Sequence, residues 1–121
     1  MNYAEMSDSD IAAKVFEAAY GGAQDYKESL DGGIVITGYE RNIIDGEDIE
    51  MEVEYGVFNP CNNPADAWPL MEKKRIGLHP DAETGGWVAV RSIYKSKNVR
   101  NVKPFRAVAI LFLMIEAEVG E

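Results

Sequence analysis

From Ile49 to Val57 the chain alternates without a break, with Ile49, Met51, Val53, Tyr55 and Val57 on the odd positions and Glu50, Glu52 and Glu54 between them. Successive side chains of a strand point to opposite faces, so this period fits a β-strand with one apolar and one charged face and does not fit a helix. Asp45-Gly46 just before it is a turn dipeptide, which makes the strand antiparallel, and the apolar row predicts that one of its faces is buried. Ile34-Val35-Ile36-Thr37 is β-branched and bounded by glycines, which predicts another short strand. Ile76 to Leu78 and Trp87 to Tyr94 read as two more, with Pro80-Asp81 and Gly85-Gly86 marking their connection.

Helices frame these strands. Ser7 and Asp10 stand three apart, the spacing at which a hydroxyl and a carboxylate satisfy each other's backbone N–H groups at a helix start. Met6 and Ile11 suit a hydrophobic staple, and Ile11, Ala12, Val15, Phe16 and Ala19 form one stripe before the Gly21-Gly22 stop. Ala23 to Gly32 is polar and rich in turn residues, so a mobile connection is expected there. A short helix is predicted after residue 63, and a last helix from Pro104, whose fixed φ suits a first helical position. Phe105, Val108, Leu111, Phe112 and Ile115 of that helix suit a sheet-facing side. Ile110, Leu113 and Met114 then need a second partner, either the N-terminal helix or another subunit.

The expected fold is therefore α+β: one domain over residues 1–121, with a small, mainly antiparallel sheet of about four strands packed against the N-terminal helix and the apolar C-terminal helix. Composition narrows the function classes. A formal charge of −9 repels phosphate backbones and anionic lipid, so neither direct nucleic-acid binding nor membrane binding is expected. The longest apolar run, Ala107 to Ile115, is nine residues, about half of what a spanning helix needs. Cys61 is the only cysteine, and Met1 to Glu5 carries neither the basic nor the apolar region of a signal peptide, so a cytoplasmic setting is expected.

The segment Phe58 to Met71 carries the densest candidate chemistry. Asn63, Pro64 and Asp66 are helix-start residues: a cap, a first position and a first-turn carboxylate. Pro69 lacks a donor, so a kink or a late start is expected. Capping leaves Asn59, Asn62 and Trp68 unexplained. Two amide side chains beside an indole wall suit a small polar ligand, although asparagine is also an ordinary turn residue.

The run Phe58-Asn59-Pro60-Cys61-Asn62-Asn63-Pro64-Ala65-Asp66-Ala67-Trp68-Pro69, together with Ile76-Gly77-Leu78, Trp87-Val88-Ala89 and the end from Pro104 to Met114, resembles the NinX family of phage accessory proteins. The resemblance covers most of the chain. It implies a phage or prophage origin and a host-cytoplasm setting, and it brings no activity, the molecular function of the family being unassigned. One departure bears on the site: the family tends to place Asn before the helix-opening Pro, where Lys103 stands here.

Arg106 sits in the first turn of the last helix, where the dipole disfavours a cation unless an anion answers it. Asp66 is the expected partner, joining two helix starts; the functional alternative is an anion clamp beside the asparagines. Cys61 lacks a neighbouring base in sequence, and His79 precedes Pro80 in a turn, so both read as structural. One cysteine and one histidine do not make a zinc site, and Glu50, Glu52 and Glu54 stand about 7 Å apart along a strand without a calcium-loop pattern, so no metal or other cofactor is expected. The strip reads as a solvated face answered by Arg91 or Lys95, or as a docking surface for a basic protein. Walker, dinucleotide, zincin and nucleophile-elbow motifs do not occur.

Three functional readings follow. The first is a noncatalytic, homo-oligomeric binding protein that captures a host protein or a small polar ligand. The second is an enzyme using Asp66 and Arg106, and the third is an acidic decoy of a DNA-binding or defence protein that works through Glu50, Glu52 and Glu54.

Overall fold

The computed structural model describes residues 2–21, 25–91 and 98–119. Its elements run α1 (Asp8–Tyr20), β1 (Asp25–Glu28), β2 (Ile34–Ile44), β3 (Glu47–Phe58), α2 (Pro64–Lys74), β4 (Ile76–Pro80), β5 (Trp87–Arg91), β6 (Asn98–Asn101) and α3 (Pro104–Val119). The mix is α+β, as the periodicities predicted, but the described residues hold six strands in two antiparallel sheets, ordered β1-β2-β3 and β4-β5-β6. The expected four-strand sheet falls short for a local reason. β1 consists of Asp25-Tyr26-Lys27-Glu28, exposed at all four positions, so no apolar pattern announced a strand inside the supposed mobile connection. β6 is equally polar. Gly22, Tyr94 and Lys95, named above in a helix stop, a strand end and an ion pair, lie outside the described residues.

The helix ends obey their local chemistry. Ser7 and Asp10 form the reciprocal cap of α1, and Gly21 ends it at a φ of 75°. Asn63 accepts the N–H of Ala65 at 3.0 Å, Pro64 opens α2, and Arg75 closes it in the left-handed region. The helix runs through Pro69 with no late start, at the cost of the one bond that Pro69 cannot donate to the Ala65 carbonyl.

α3 is the centre of the molecule. Ala107 to Leu113 are all buried, which covers the helix on every side, and α1, α2 and all three strands of the second sheet pack around it. Lys74 of α2 meets Glu116 of α3 at 2.8 Å beside this core. Ile110 and Leu113 are each only 6% exposed, so the apolar surplus of the last helix is taken up within the chain, and it no longer argues for a second subunit.

The long hairpin β2–β3 behaves differently. Asp45 and Gly46 at its tip both have positive φ, 52° and 79°, the backbone that a two-residue turn between twisted strands requires. Ile34, Ile36 and Phe58 at its root are buried against α1, with the Phe16 and Phe58 rings edge-to-face at 5.5 Å. Beyond Thr37 every residue of β2 is partly or fully exposed, and so is β3 up to Phe58. The predicted half-buried strand is thus an arm that leaves the core: Met51 is 43%, Tyr55 60% and Val57 69% exposed. The register shifts between Ile36 and Thr37, so that Tyr55 has no opposite number. This bulge moves Val57 to the face opposite Val53 and aims Phe58 at the core. The alternation that made the strand legible does not survive it.

Candidate functional site

Asp8 opens α1, and three side chains from distant parts of the chain converge on its carboxylate. Lys103 Nζ and Asn62 Nδ2 donate to Oδ2, the latter at 3.2 Å, and Arg106 donates to Oδ1 at 2.5 Å. Burial pushes the Asp8 carboxyl up, but the hydrogen bonds from Lys103, Arg106 and Asn62 outweigh it and hold the group below its ordinary value. Arg106 also donates to the carbonyls of Met6 at 2.7 Å, Tyr3 at 3.2 Å and Ala4 at 3.5 Å, which closes the turn preceding α1. Its cation stands at a helix start because Asp8 and three carbonyl dipoles neutralise it there.

Asn59 and Asn62 extend the same network. Asn62 Nδ2 reaches Asn59 Oδ1 at 2.9 Å and the Asp31 carbonyl at 3.3 Å, and Asn59 Nδ2 reaches that carbonyl at 3.2 Å. The Asn59 carbonyl accepts the N–H groups of Asn62 and Asn63, and its own N–H is capped by Asp66 Oδ2 at 2.9 Å. Gly32 and Gly33 bring the opposite strand of chain close enough for this. A Cβ at Gly33 would stand 2.6 Å from that of Asn59, and Ser9 Oγ donates to the Gly33 carbonyl at 2.9 Å. Asp31 Oδ1 accepts the Gly33 N–H; hydrogen bonds from Ser29 and Gly33 lower the Asp31 carboxyl.

The predicted meeting of Asp66 with Arg106 is therefore replaced: Asp66 holds the Asn59 backbone and Arg106 holds Asp8. Asn59, Asn62 and Arg106 do belong to one cluster, through Asp8. Trp68 takes no part in its hydrogen bonds and is 59% exposed on α2. Sequence reasoning missed Asp8, Asp31 and the Gly32-Gly33 pair. Asp8 is one of three acidic residues within Asp8-Ser9-Asp10 and Glu5, and only tertiary contact singles it out. Lys103, noted only as a departure from the family pattern, is the second cation on Asp8.

Among the described residues no buried side-chain polar atom lacks a partner, so the donors and acceptors of this cluster are used on one another. Cys61, buried beside it, has a thiol pushed up to about 12, first by burial and then by the Asp8 charge, and is no nucleophile at neutral pH. His79 is exposed on β4. Among the described residues no group of His, Cys, Asp or Glu is placed to hold a metal ion.

The glutamate strip lies on the arm. Glu50, Glu52 and Glu54 share a face with Asp48 and, across the ladder, with Ile43, Arg41, Tyr39 and Thr37. Lys27 of β1 pairs with Glu52, and Arg41 lies 3.8 Å from Asp48. These cations come from the arm's own sheet, whereas Arg91, the expected partner, belongs to the other sheet. The opposite face carries Ile44, Ile49, Met51, Val53 and Tyr55, together with Glu40, Asn42 and Glu47, and the Tyr55 ring is laid over Gly38, where a Cβ would come within 2.4 Å of it. At the root this face opens into a groove of about 440 Å³ lined by Phe16, Tyr20, Ile36, Tyr55, Val57 and Phe58.

The family model described as Bacteriophage P22, NinX, matches residues 2–116. No curated protein and no solved structure matches the chain.

Proposed function

The chain belongs to the NinX family of phage proteins, and from that premise we propose that it is a noncatalytic accessory protein that acts in the host cytoplasm by capturing another protein on the β2–β3 arm. The observation that carries this reading is the arm itself: a hairpin that leaves the core with Ile44, Met51 and Tyr55 exposed beside half-buried Ile49 and Val53 on one face, and with Asp48, Glu50, Glu52 and Glu54 on the other. Monomeric proteins seldom keep a contiguous apolar face in water, and such a face is a usual feature of an interaction site. The polar cluster around Asp8 favours no competing activity, because Asp66 and Arg106 are each engaged by groups of the fold. A small polar ligand at Asn59 and Asn62 would have to displace hydrogen bonds that hold the segments together. The decoy reading merges with the binding one, since Glu50, Glu52 and Glu54 occupy the same arm.

The test is to shorten the arm. Replacing residues 38–53 by an Asn-Gly turn between Thr37 and Glu54 leaves the root and core intact. Native mass spectrometry of both forms, purified gently from infected cells, should show a bound protein on the full-length chain only. A partner retained by the shortened chain would move the binding surface elsewhere, and two bare proteins would count against capture altogether.

A further inference from the structure

We infer that the partner presents a basic amphipathic helix of about four turns, which lies on the apolar face of the arm. The inference rests on the reading of the arm as a binding surface and names what fits it. At its root this face is already a helix-packing surface: α1 covers Ile34, Ile36 and Phe58 there. Past Thr37 the same face continues as Val53, Met51, Ile49 and Ile44, and no helix among the described residues follows it. From Gly38 to Ile44 the uncovered stretch is about 20 Å long at the usual strand rise, the length of roughly thirteen helical residues.

The geometry favours a helix over an added strand. A strand joined to the free edge of β3 lengthens the sheet and leaves the bare face bare, whereas a helix stacked on it takes Met51, Val53 and Tyr55 out of water. Charge selects the partner's chemistry. Residues 38–57 contain seven carboxylates, Glu40, Asp45, Glu47, Asp48, Glu50, Glu52 and Glu54, against the single cation Arg41, so the arm holds −6 of the chain's −9. Glu40 and Glu47 stand on the apolar face itself, across the ladder from Met51 and Ile44, where Lys or Arg flanking an apolar stripe would meet them.

A second copy of the chain fits poorly. Among the described residues its helices bury most of their apolar side chains in the core and expose Trp68 and Tyr20 singly, so the extended apolar face it offers is its own arm, and two such arms face to face set −6 against −6 about 10 Å apart. Edge pairing of β3 with β3 that keeps the apolar side chains together also sets glutamate opposite glutamate.

The experiment uses three fluorescent eighteen-residue peptides and fluorescence anisotropy on the full chain. One has leucines at helical spacing and lysines elsewhere; one has the same composition with strict alternation; one has the helical pattern with glutamate in place of lysine. The first should bind at least tenfold more tightly than either of the others. Ile49→Ser/Met51→Ser, which keeps every charge, should weaken it at least tenfold, and Glu40→Lys/Glu47→Lys by three- to tenfold, with circular dichroism unchanged. Tighter binding of the alternating peptide would point to strand addition and overturn the inference. Equal binding by the serine variant would reduce the effect to nonspecific charge attraction and overturn it too. A wild-type dimer in sedimentation velocity that the serine variant abolishes would assign the face to a second copy. Loss of the natural partner on arm shortening, with no preference among the peptides, would leave the arm as the binding surface and remove only the helix.

Discussion

The polar cluster around Asp8 and the β2–β3 arm invert each other. The cluster has the composition of a ligand site, with asparagines, a cation and carboxylates crowded together, and it is a joint in which these groups satisfy one another. The arm has the pattern of an ordinary core-facing strand, and it meets solvent with a run of apolar side chains. Polar composition therefore says little about function until the hydrogen-bond partners are known, and apolar pattern says little about burial until the covering element is known.

The sharpest way to break this contrast is at Arg106. Arg106→Met should cost about 3 kcal/mol in urea denaturation, because it strips a partly buried carboxylate and the Met6 and Tyr3 carbonyls of a donor at once. A loss below about 1 kcal/mol would mean that the joint is dispensable and free to serve a ligand. Gly33→Ala should cost about 2 kcal/mol, since the new Cβ meets Asn59 Cβ at 2.6 Å and the Phe58 carbonyl at 2.7 Å, and backbone must shift to admit it.

Acid titration probes the same joint more gently. Asp8 and Asp31 have folded-state values below the ordinary 3.8, so each stabilises the fold above the unfolded value, and that contribution is lost as pH falls through the folded value. Thermal unfolding followed between pH 6 and 2 should fall steeply below about pH 4. Asp8→Asn should start lower and fall less; a parallel acid limb would place the titrating group elsewhere. The arm should give the smallest change. Met51→Ser is expected to cost no more than about 1 kcal/mol, because the residue is already 43% exposed. A loss near 2 kcal/mol would show that something covers this face in solution.

Much of the architecture was legible. The Ser7–Asp10 cap, the Asp45-Gly46 turn, the Asn63-Pro64 helix start and the Pro104 start all stand where local chemistry put them. β1 was not, since Asp25-Tyr26-Lys27-Glu28 is held by pairing with β2 and carries no apolar signal of its own. Of the residues singled out in the sequence, Asn59, Asn62 and Arg106 meet in one cluster, around Asp8 and not Asp66, because Asp8 and Arg106 are 98 residues apart and nothing local links them.

By itself the sequence determined what is local: where helices cap, where the hairpin turns, which residues alternate, and a charge that repels phosphate and anionic lipid. Tertiary structure decided which apolar face is covered and which carboxylate a cation meets. Caps and turns are settled by backbone groups a few residues apart, whereas burial and ion pairing depend on which distant element arrives. Here α3 arrived at the centre, Asp8 at the foot of α3, and no helix among the described residues at the arm.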